Sequence, residues 1–505
     1  MLKTPIKSPY FSIFWVFFYL FLFCLLMRFG FSYLDPDLGW HLKVGEEISL
    51  THQLPSFNHY NYTFSGSWVD HEWLSNVLLY NVYHHVGYVA VVGLFALIII
   101  VVLVGLQLFI KKHWPQVPGS LIAVLQVFGV IAASPHSGVR IQELGWLFLF
   151  CLLLILDNYE RRRKWKTLLF IIPLLYFWSC LHGSFLIGFF LLIAWGAVKI
   201  GERIIKWLFP AWPVDTSNVL SVKQLAIFVG LSSLAGLATL FTPYRLELYS
   251  FLGGYANTAY LTKIQEWLSQ FFYPFFYWQL AYLAIAILAV ISYVYEVFRN
   301  KTKKIDLWPL FLTFTFIVLS FKSRRHFPLM FVATLPFLAT VYADIFSTLR
   351  PRSRPVKSGL NRPNSLSQAE TSRPCDLRRS RWLSSSWLPA YLLFCLALAI
   401  GWQVTQMKFV HDPFRSFCRD YPCGAYDFLI AHPQYQEARM FNNYGWGGYL
   451  IWMMPGKQIF IDGRLPQVEY AGRTLLEEYL DFFKPDDEIP KRLDEYGGDL
   501  FLISS

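Results

Sequence analysis

The chain has 505 residues, of which 55% are hydrophobic, 19% aromatic and only 15% charged. A soluble domain carries about 25% charged residues, so a soluble enzyme is excluded, and low Gly, Pro and Cys contents exclude collagen-like, disordered and disulfide-rich secreted scaffolds. The net charge of +11 has the sign of a nucleic-acid binder, but its distribution along the chain assigns it to a membrane surface instead.

Runs of about 20 apolar residues, each enough to cross a ~30 Å hydrocarbon layer, begin with Phe11 to Tyr33. Lys3 and Lys7 precede this run and no small-residue cleavage site ends it, so it reads as a retained helix. Further runs fall at 87–110, 118–135, 139–157, 167–182, 184–205, 224–243, 273–298, 306–322, 327–348 and 384–410, which predicts eleven spans. With the N-terminus inside, the inward connections carry Lys111 and Lys112; Arg161, Arg162, Arg163, Lys164 and Lys166; Arg203 and Lys206; and Arg299, Lys301, Lys303 and Lys304. Basic short loops are held on the cytoplasmic side, so an odd number of spans leaves the C-terminal part outside. The outward connections are long or nearly uncharged, apart from Arg324 and Arg325.

The first outward loop, 34–86, is long and patterned. In DPDLGWHLKVGEEI, Asp35 reads as an N-cap and Pro36 as the first helical residue, and Asp37 and His41, four apart, share a helix face. In SWVDHEWLSNVLLYNVYHH, Asp70 reads as the cap of a second helix with Trp73, Leu74, Val77 and Leu78 as its apolar stripe. His71 and Glu72 follow that cap. Both helices are expected to lie at the interface and to point acids into one aqueous mouth. Asp35 and Asp70 are explained by capping alone, and Lys43 by headgroup anchoring. Asp37 and Glu72 in a first turn also gain from the macrodipole, yet a carboxylate at this depth can act as a general base or bind a divalent cation. Asn61-Tyr62-Thr63 matches a glycosylation acceptor pattern.

Farther along, His182 and Gly183 lie where the fifth span exits, and Glu266 and Trp267 occupy a later outward loop. Arg324, Arg325 and His326 violate the charge rule at the outer end of the ninth span. A guanidinium pair there either snorkels to the interface or grips a phosphate. Residues 349–382 hold nine basic residues against two acids, net +7, and read as a disordered cytoplasmic linker near anionic lipid. Residues 411–505, after the last span at 383–410, have nine basic and fifteen acidic residues, net −6, so no nucleic-acid footprint remains. This part reads as a small α/β unit: a helix near 423–432, a strand near 437–441, an extended KQIFIDGR, helices near 473–483 and 487–496, and a last strand in LFLIS. Tyr444 and Trp446 in FNNYGWGGYL form either a groove wall or a tight loop, and Asp462 and Arg464 either bind substrate or pair with each other. Cys418 and Cys423 could close a local disulfide in an oxidising compartment, whereas Cys24, Cys151, Cys180 and Cys395 are core filler.

The order of parts resembles the GT-C superfamily of membrane glycosyltransferases, which use lipid-phosphate-linked sugar donors. DLGWHLK, Asp37 to Lys43, looks like the D-P-Y-Y-H-L-R type of segment in oligosaccharyltransferase catalytic subunits, whose acid contributes to catalysis; Asp37 is the matching position. NNYGWGGYL is similar to their W-W-D-Y-G segment, but Phe441, Asn442 and Asn443 stand where Trp, Trp and Asp would be, so sequon recognition is not implied. SPHSG lacks their second acidic motif, which weakens the case for a bound metal. The chain also resembles a broad group of bacterial membrane proteins sharing D-P-D-x-x-W-H-L, H-E-W-L, H-G, E-W, Y-G-W-G-G-Y and D-G-R.

The expected protein is therefore a polytopic α-helical membrane protein of GT-C type, with residues 1–348 as its main helical domain and an extracytoplasmic α/β domain, in a bacterial plasma membrane. Its expected activity moves a sugar from a polyprenyl-phosphate donor to an extracytoplasmic acceptor. Asp37 is the catalytic candidate, with Glu72 and His41; substrate-binding candidates are Asp35, Lys43, Asp70, His71, His182, Glu266, Arg324, Arg325, Tyr444, Trp446, Asp462 and Arg464. A cofactor, if any, would be Mg or Mn on Asp37 and Glu72. The partners are the lipid donor and membrane lipids. The alternatives are a non-catalytic scaffold or lipid-binding protein of the same fold and, with few intramembrane charges to support it, a transporter.

Overall fold

The computed structural model describes residues 9–255, 260–300, 302–349, 387–465, 468–470, 473–484 and 494–503. The first apolar run forms α1 (Pro9–Gly30), followed by two short helices, α2 (Leu38–Thr51) and α3 (Trp73–Val86). Then come α4 (Tyr88–His113), α5 (Gly119–Ala133), α6 (Leu144–Arg162), α7 (Ile171–Leu181), α8 (Phe185–Leu208) and α9 (Val222–Thr239). The short α10 (Glu247–Gly254) and α11 (Tyr260–Lys263) lead to α12 (Tyr277–Arg299), α13 (Leu307–Lys322), α14 (Phe327–Leu349) and α15 (Trp387–Gln406).

Among the described residues, 8 helices are long and apolar enough to cross a membrane, and this is an integral membrane protein. The expected spans at 167–182, 306–322 and 384–410 are shorter apolar helices, Trp165–Leu181, Leu307–Lys322 and Ala390–Gln406, at or just under the ~17-residue lower limit for a crossing. Burial orders the bundle. The span containing α14 has 67% of its apolar window buried and is central, whereas α9 at 22% presents most of its surface to lipid. The basic linker, with Cys375, and most of the helix expected at 487–496 lie outside the described residues.

Two polar clusters inside the bundle are paired, as a medium without water favours. Tyr19 on α1 donates to Gln107 on α4 at 2.7 Å and to Gln126 on α5 at 3.2 Å. Lys199 on α8, which sequence reasoning passed over, donates to Glu160 on α6 at 2.7 Å and to Glu202 at 2.8 Å. The connections that carry the basic clusters come together at one end: Asp215 N–H donates to the Ile305 carbonyl at 2.8 Å, and Arg163 donates to the Asn218 carbonyl.

The other end carries α2, α3 and the C-terminal region. Asp35 is not the cap of α2. It forms a turn, accepting the Asp37 N–H at 2.9 Å, and the helix begins at Leu38 with Asp37 at the N-cap. Asp70 likewise accepts the Glu72 N–H at 3.2 Å, and α3 begins after Glu72. The expected apolar stripe of α3 is not its buried face. Leu78 is exposed, while Ser75, Asn76, Leu79 and Tyr80 are buried, with Asn76 bonded to His41 of α2 and Ser75 donating to the Leu181 carbonyl of α7.

In the C-terminal region α16 (Pro413–Ser416) and α17 (Cys423–Ala431) precede β1 (Met440–Asn442), α18 (Gly447–Met453), β2 (Glu469–Tyr470), β3 (Arg473–Thr474), α19 (Leu475–Asp481) and β4 (Leu500–Leu502). β1 pairs with β4 in parallel and β2 with β3 antiparallel. KQIFIDGR contributes single bridges through Ile459 to Asn61 and Met440 rather than a full strand. Cys418 and Cys423 are disulfide-bonded.

Candidate active site

α2 meets α18 without side chains between them. A Cβ on Gly39 would collide with the Gly448 carbonyl oxygen, so the GWGG segment lets two backbones touch and seats the C-terminal region on the first loop. The same contact brings Gly463 against Asp37: a Cβ there would strike Asp37 Oδ1. Tyr444 and Trp446 lie next to this seat and are not among the residues that line the cavity beside it. The Tyr444 N–H donates to Tyr479 Oη at 3.1 Å and Trp446 Nε1 to the Asp420 carbonyl at 2.9 Å.

Beside this seat is a cavity of about 290 Å³. Asp37, His71, Glu72, His182, Arg325, His326 and Arg464 supply its charged and imidazole walls, and Trp40, Trp68, Trp146, Trp267 and Tyr255 its other aromatic ones. Asp37 Oδ1 accepts from Trp40 Nε1 at 2.9 Å. Burial, and then the neighbouring Asp35 carboxylate, push the Asp37 carboxyl up to about 7. Glu72 is driven higher, to about 8, by burial and then by Asp70.

Two imidazoles face the same oxygen of Glu72. His182 Nε2 is 3.3 Å and His71 Nε2 3.5 Å from Glu72 Oε1. His182 Nδ1 accepts the Ser184 N–H at 2.9 Å, so its proton is on Nε2, pointing at Glu72. Burial holds His182 well below the ordinary range and His71 at about 4, so both rings are neutral.

Three acids and three bases beside the cavity form two ionic groups. In one, Arg140 pairs with Asp35 at 3.1 Å and with Glu266, and Arg325 stands 3.7 Å from Glu266. Arg140 and then Arg325 hold Glu266 down at about 2 against the opposing effect of burial. In the other, Arg464 grips Asp462 through Nε at 2.9 Å and Nη2 at 2.8 Å, and Asn58 and Asn61 accept from Arg464 at 3.1 Å. The guanidinium lies over the Tyr60 ring at 4.4 Å and the Trp68 ring at 4.7 Å. Asn61 is buried and donates to Asp462 at 2.9 Å, so the glycosylation-like triplet serves this clamp.

Several expected site residues stand elsewhere. His41 is bonded to Asn76 at 2.6 Å rather than to Asp37, and burial lowers it to about 3. Asp70 accepts from Asn76 at 2.8 Å and is fully buried. Lys43 pairs with Glu46 at 2.7 Å. Arg324 is turned away from the cavity: it donates to the carbonyls of Ser269, at 3.2 Å, and Phe272, and covers Phe276. It is a brace for the loop before α12, not a partner of Arg325.

Arg140, Trp40 and Trp68 were missed. Arg140 carried a usable signal, since it too is a cation at the acid-rich end, against the charge trend. A divalent cation does not fit these acids. Each faces a proton donor of its own, and among the described residues no group of three or more His, Cys, Asp or Glu side chains could hold a metal ion.

No family model and no curated protein matches the chain. Among solved structures it is similar to an oligosaccharyltransferase from Archaeoglobus fulgidus tethered to an acceptor peptide containing the NVT sequon, with TM-score 0.49 and 10% identity over 91% of this chain and 64% of that one. It is also similar to archaeal oligosaccharyltransferase AglB from Archaeoglobus fulgidus in complex with an inhibitory peptide and a dolichol-phosphate, with TM-score 0.48 and 10% identity over 90% of this chain and 65% of that one. The chain thus spans less than two thirds of the length of either protein.

Proposed function

We propose that the protein is a membrane glycosyltransferase that moves a sugar from a polyprenyl-phosphate donor to an acceptor hydroxyl at the outer face of a bacterial plasma membrane. The observation that carries this reading is a single cavity walled by Asp37, Glu72 and Arg325 where the helical bundle meets the C-terminal region. Asp37, near 7, can lose its proton at neutral pH and then take one from the acceptor hydroxyl. Glu72, near 8, stays protonated there and can donate to an oxygen of the donor. Arg325 offers a guanidinium to the phosphate, whose negative charge grows as the glycosidic bond breaks. The aromatic walls suit the faces of a sugar ring.

Outward placement of this end rests on the basic connections gathered at the opposite end and on the Cys418–Cys423 disulfide. A scaffold that kept the fold without the chemistry would be expected to fill the hollow beside Asp37 with side chains, and Asp37 lines an open one. Reconstituted protein given a labelled polyprenyl-phosphate sugar and an envelope extract should transfer label, and Asp37→Asn should slow transfer by about 10²–10⁴ without changing its melting profile. Equal transfer by both proteins removes Asp37 from the mechanism.

A further inference from the structure

Asp37 and Glu72 line one cavity, to which the reading above brings a phosphate; Asp35 adjoins Asp37, whose N–H it accepts, and Glu266 stands behind Arg325 of the cavity wall. The carboxylates of Asp35 and Glu266 beside it would repel that phosphate unless a cation answers them. Arg140 comes from the connection between α5 and α6 and reaches between two other loops. Its Nε is 3.1 Å from Asp35 Oδ2, and its Nη1 is bonded to Glu266 Oε1. The side chain is nine-tenths buried, and the guanidinium lies 5.7 Å from the Tyr33 ring centroid. One planar, permanently charged group thus joins the first outer loop, the α5–α6 connection and the loop before α12. From Glu266 the contact passes on to Arg325 at the cavity wall.

We infer that Arg140 is a built-in counter-cation, neutralising Asp35 and Glu266 in place of a bound divalent ion, so that this site receives its anionic lipid headgroup without a metal. The inference rests on the proposed lipid-phosphate reading only for the identity of the headgroup; the ionic arrangement stands without it. A guanidinium suits the task because it binds two carboxylates at fixed angles and does not lose its charge. Removing it leaves two acids facing a space of its own size, lined by oxygen, which is the donor type that Mg and Mn prefer.

The test uses full-length protein in lipid nanodiscs with Mn²⁺ as probe, bound ion being counted by electron paramagnetic resonance, and a long-chain polyprenyl phosphate as the second probe. The unaltered protein should take up no stoichiometric Mn²⁺, and its lipid binding should be the same with and without chelator. Arg140→Met should lose at least about tenfold in lipid affinity, gain one Mn²⁺, and recover affinity with that ion; Asp35→Asn added to it should abolish the uptake. Stoichiometric Mn²⁺ on the unaltered protein, reduced by Asp35→Asn or Glu266→Gln, overturns the inference. So does an Arg140→Met protein that melts normally, takes up no ion and binds the lipid as before. The Mn²⁺ count on the unaltered protein needs no variant to fold. A lack of polyprenyl phosphate binding by the unaltered protein, with no Mn²⁺ uptake, would instead count against the proposed function.

Discussion

Asp37 and Glu72 sit in one cavity with carboxyls pushed to about 7 and about 8, and the order of these two values sets a pH dependence. In the proposed mechanism transfer needs Asp37 ionised and Glu72 protonated, so the rate should rise with pH through about 7 and fall above about 8. Glu72→Gln keeps a donor that does not titrate and should retain the acidic limb while losing the alkaline one; an unchanged alkaline limb would dissociate Glu72 from it. Asp37→Asn should cost about 10²–10⁴ in rate. Asp70 makes a separate prediction about stability. Its folded pKa is raised by burial from 3.8 to about 7, so the folded state holds a proton that the unfolded chain has released. The stabilisation is full below the unfolded value and is lost as pH rises through about 7. Asp70→Asn keeps one of the two acceptor oxygens that serve Asn76 and the Glu72 N–H and does not titrate, so its melting temperature relative to the parent should rise from pH 5 to pH 8; a difference of constant size would deny that Asp70 titrates in this window. At this scale the sequence put forward Asp37 and Glu72, which the structure brings to one cavity, and the Asp462–Arg464 pair, because each lies in a short local pattern. It did not disclose Arg140 or Trp68, whose contacts span more than a hundred residues of chain, nor that His41 turns to Asn76, which follows from how α2 packs on α3.

At the scale of elements, the contact of α2 with α18 decides whether Asp37 and Gly463 meet. Gly39→Ala would set a methyl group against the Gly448 carbonyl, and overpacking of this kind costs about 1–3 kcal/mol. The expected result is a C-terminal region released to protease at lower temperature than in the parent, with transfer reduced in step; an unchanged digestion profile would show that the seat tolerates separation. The segment NNYGWGGYL was visible in the sequence as a motif, but as either wall or loop. What settled it was the backbone of another helix, which no local pattern contains. Asp35 was misread as a cap for a related reason: Asp-Pro-Asp offers two acids that satisfy the capping rule, and Arg140, distant in sequence, draws the first one away. Arg324→Ala should open the loop before α12, measured as faster hydrogen exchange at residues 268–272, because its guanidinium holds the carbonyls of Ser269 and Phe272. Exchange equal to that of the parent would mean that the aromatic packing of this loop suffices.

For the whole molecule, hydropathy and the alternation of basic loops carried most of the architecture, since both are set by the membrane and written along the chain. The eight long helices lie where the apolar runs are, and the three shorter ones mark expected spans whose length alone would not have chosen them. The alternation also predicts sidedness: a cysteine introduced as Ser217→Cys, in the connection joining α8 to α9, should react with an impermeant thiol reagent only in inverted vesicles. Reaction in whole cells would reverse the proposed orientation. The central claim is that the cavity under the first outer loop receives a lipid phosphate next to Asp37. An electron cryomicroscopy structure of the protein in nanodiscs with a polyprenyl phosphate tests it most directly. The account predicts the phosphate against Arg325, inside the hollow that Asp37 and Glu72 line; a headgroup bound elsewhere on the bundle while that hollow stays empty would contradict it.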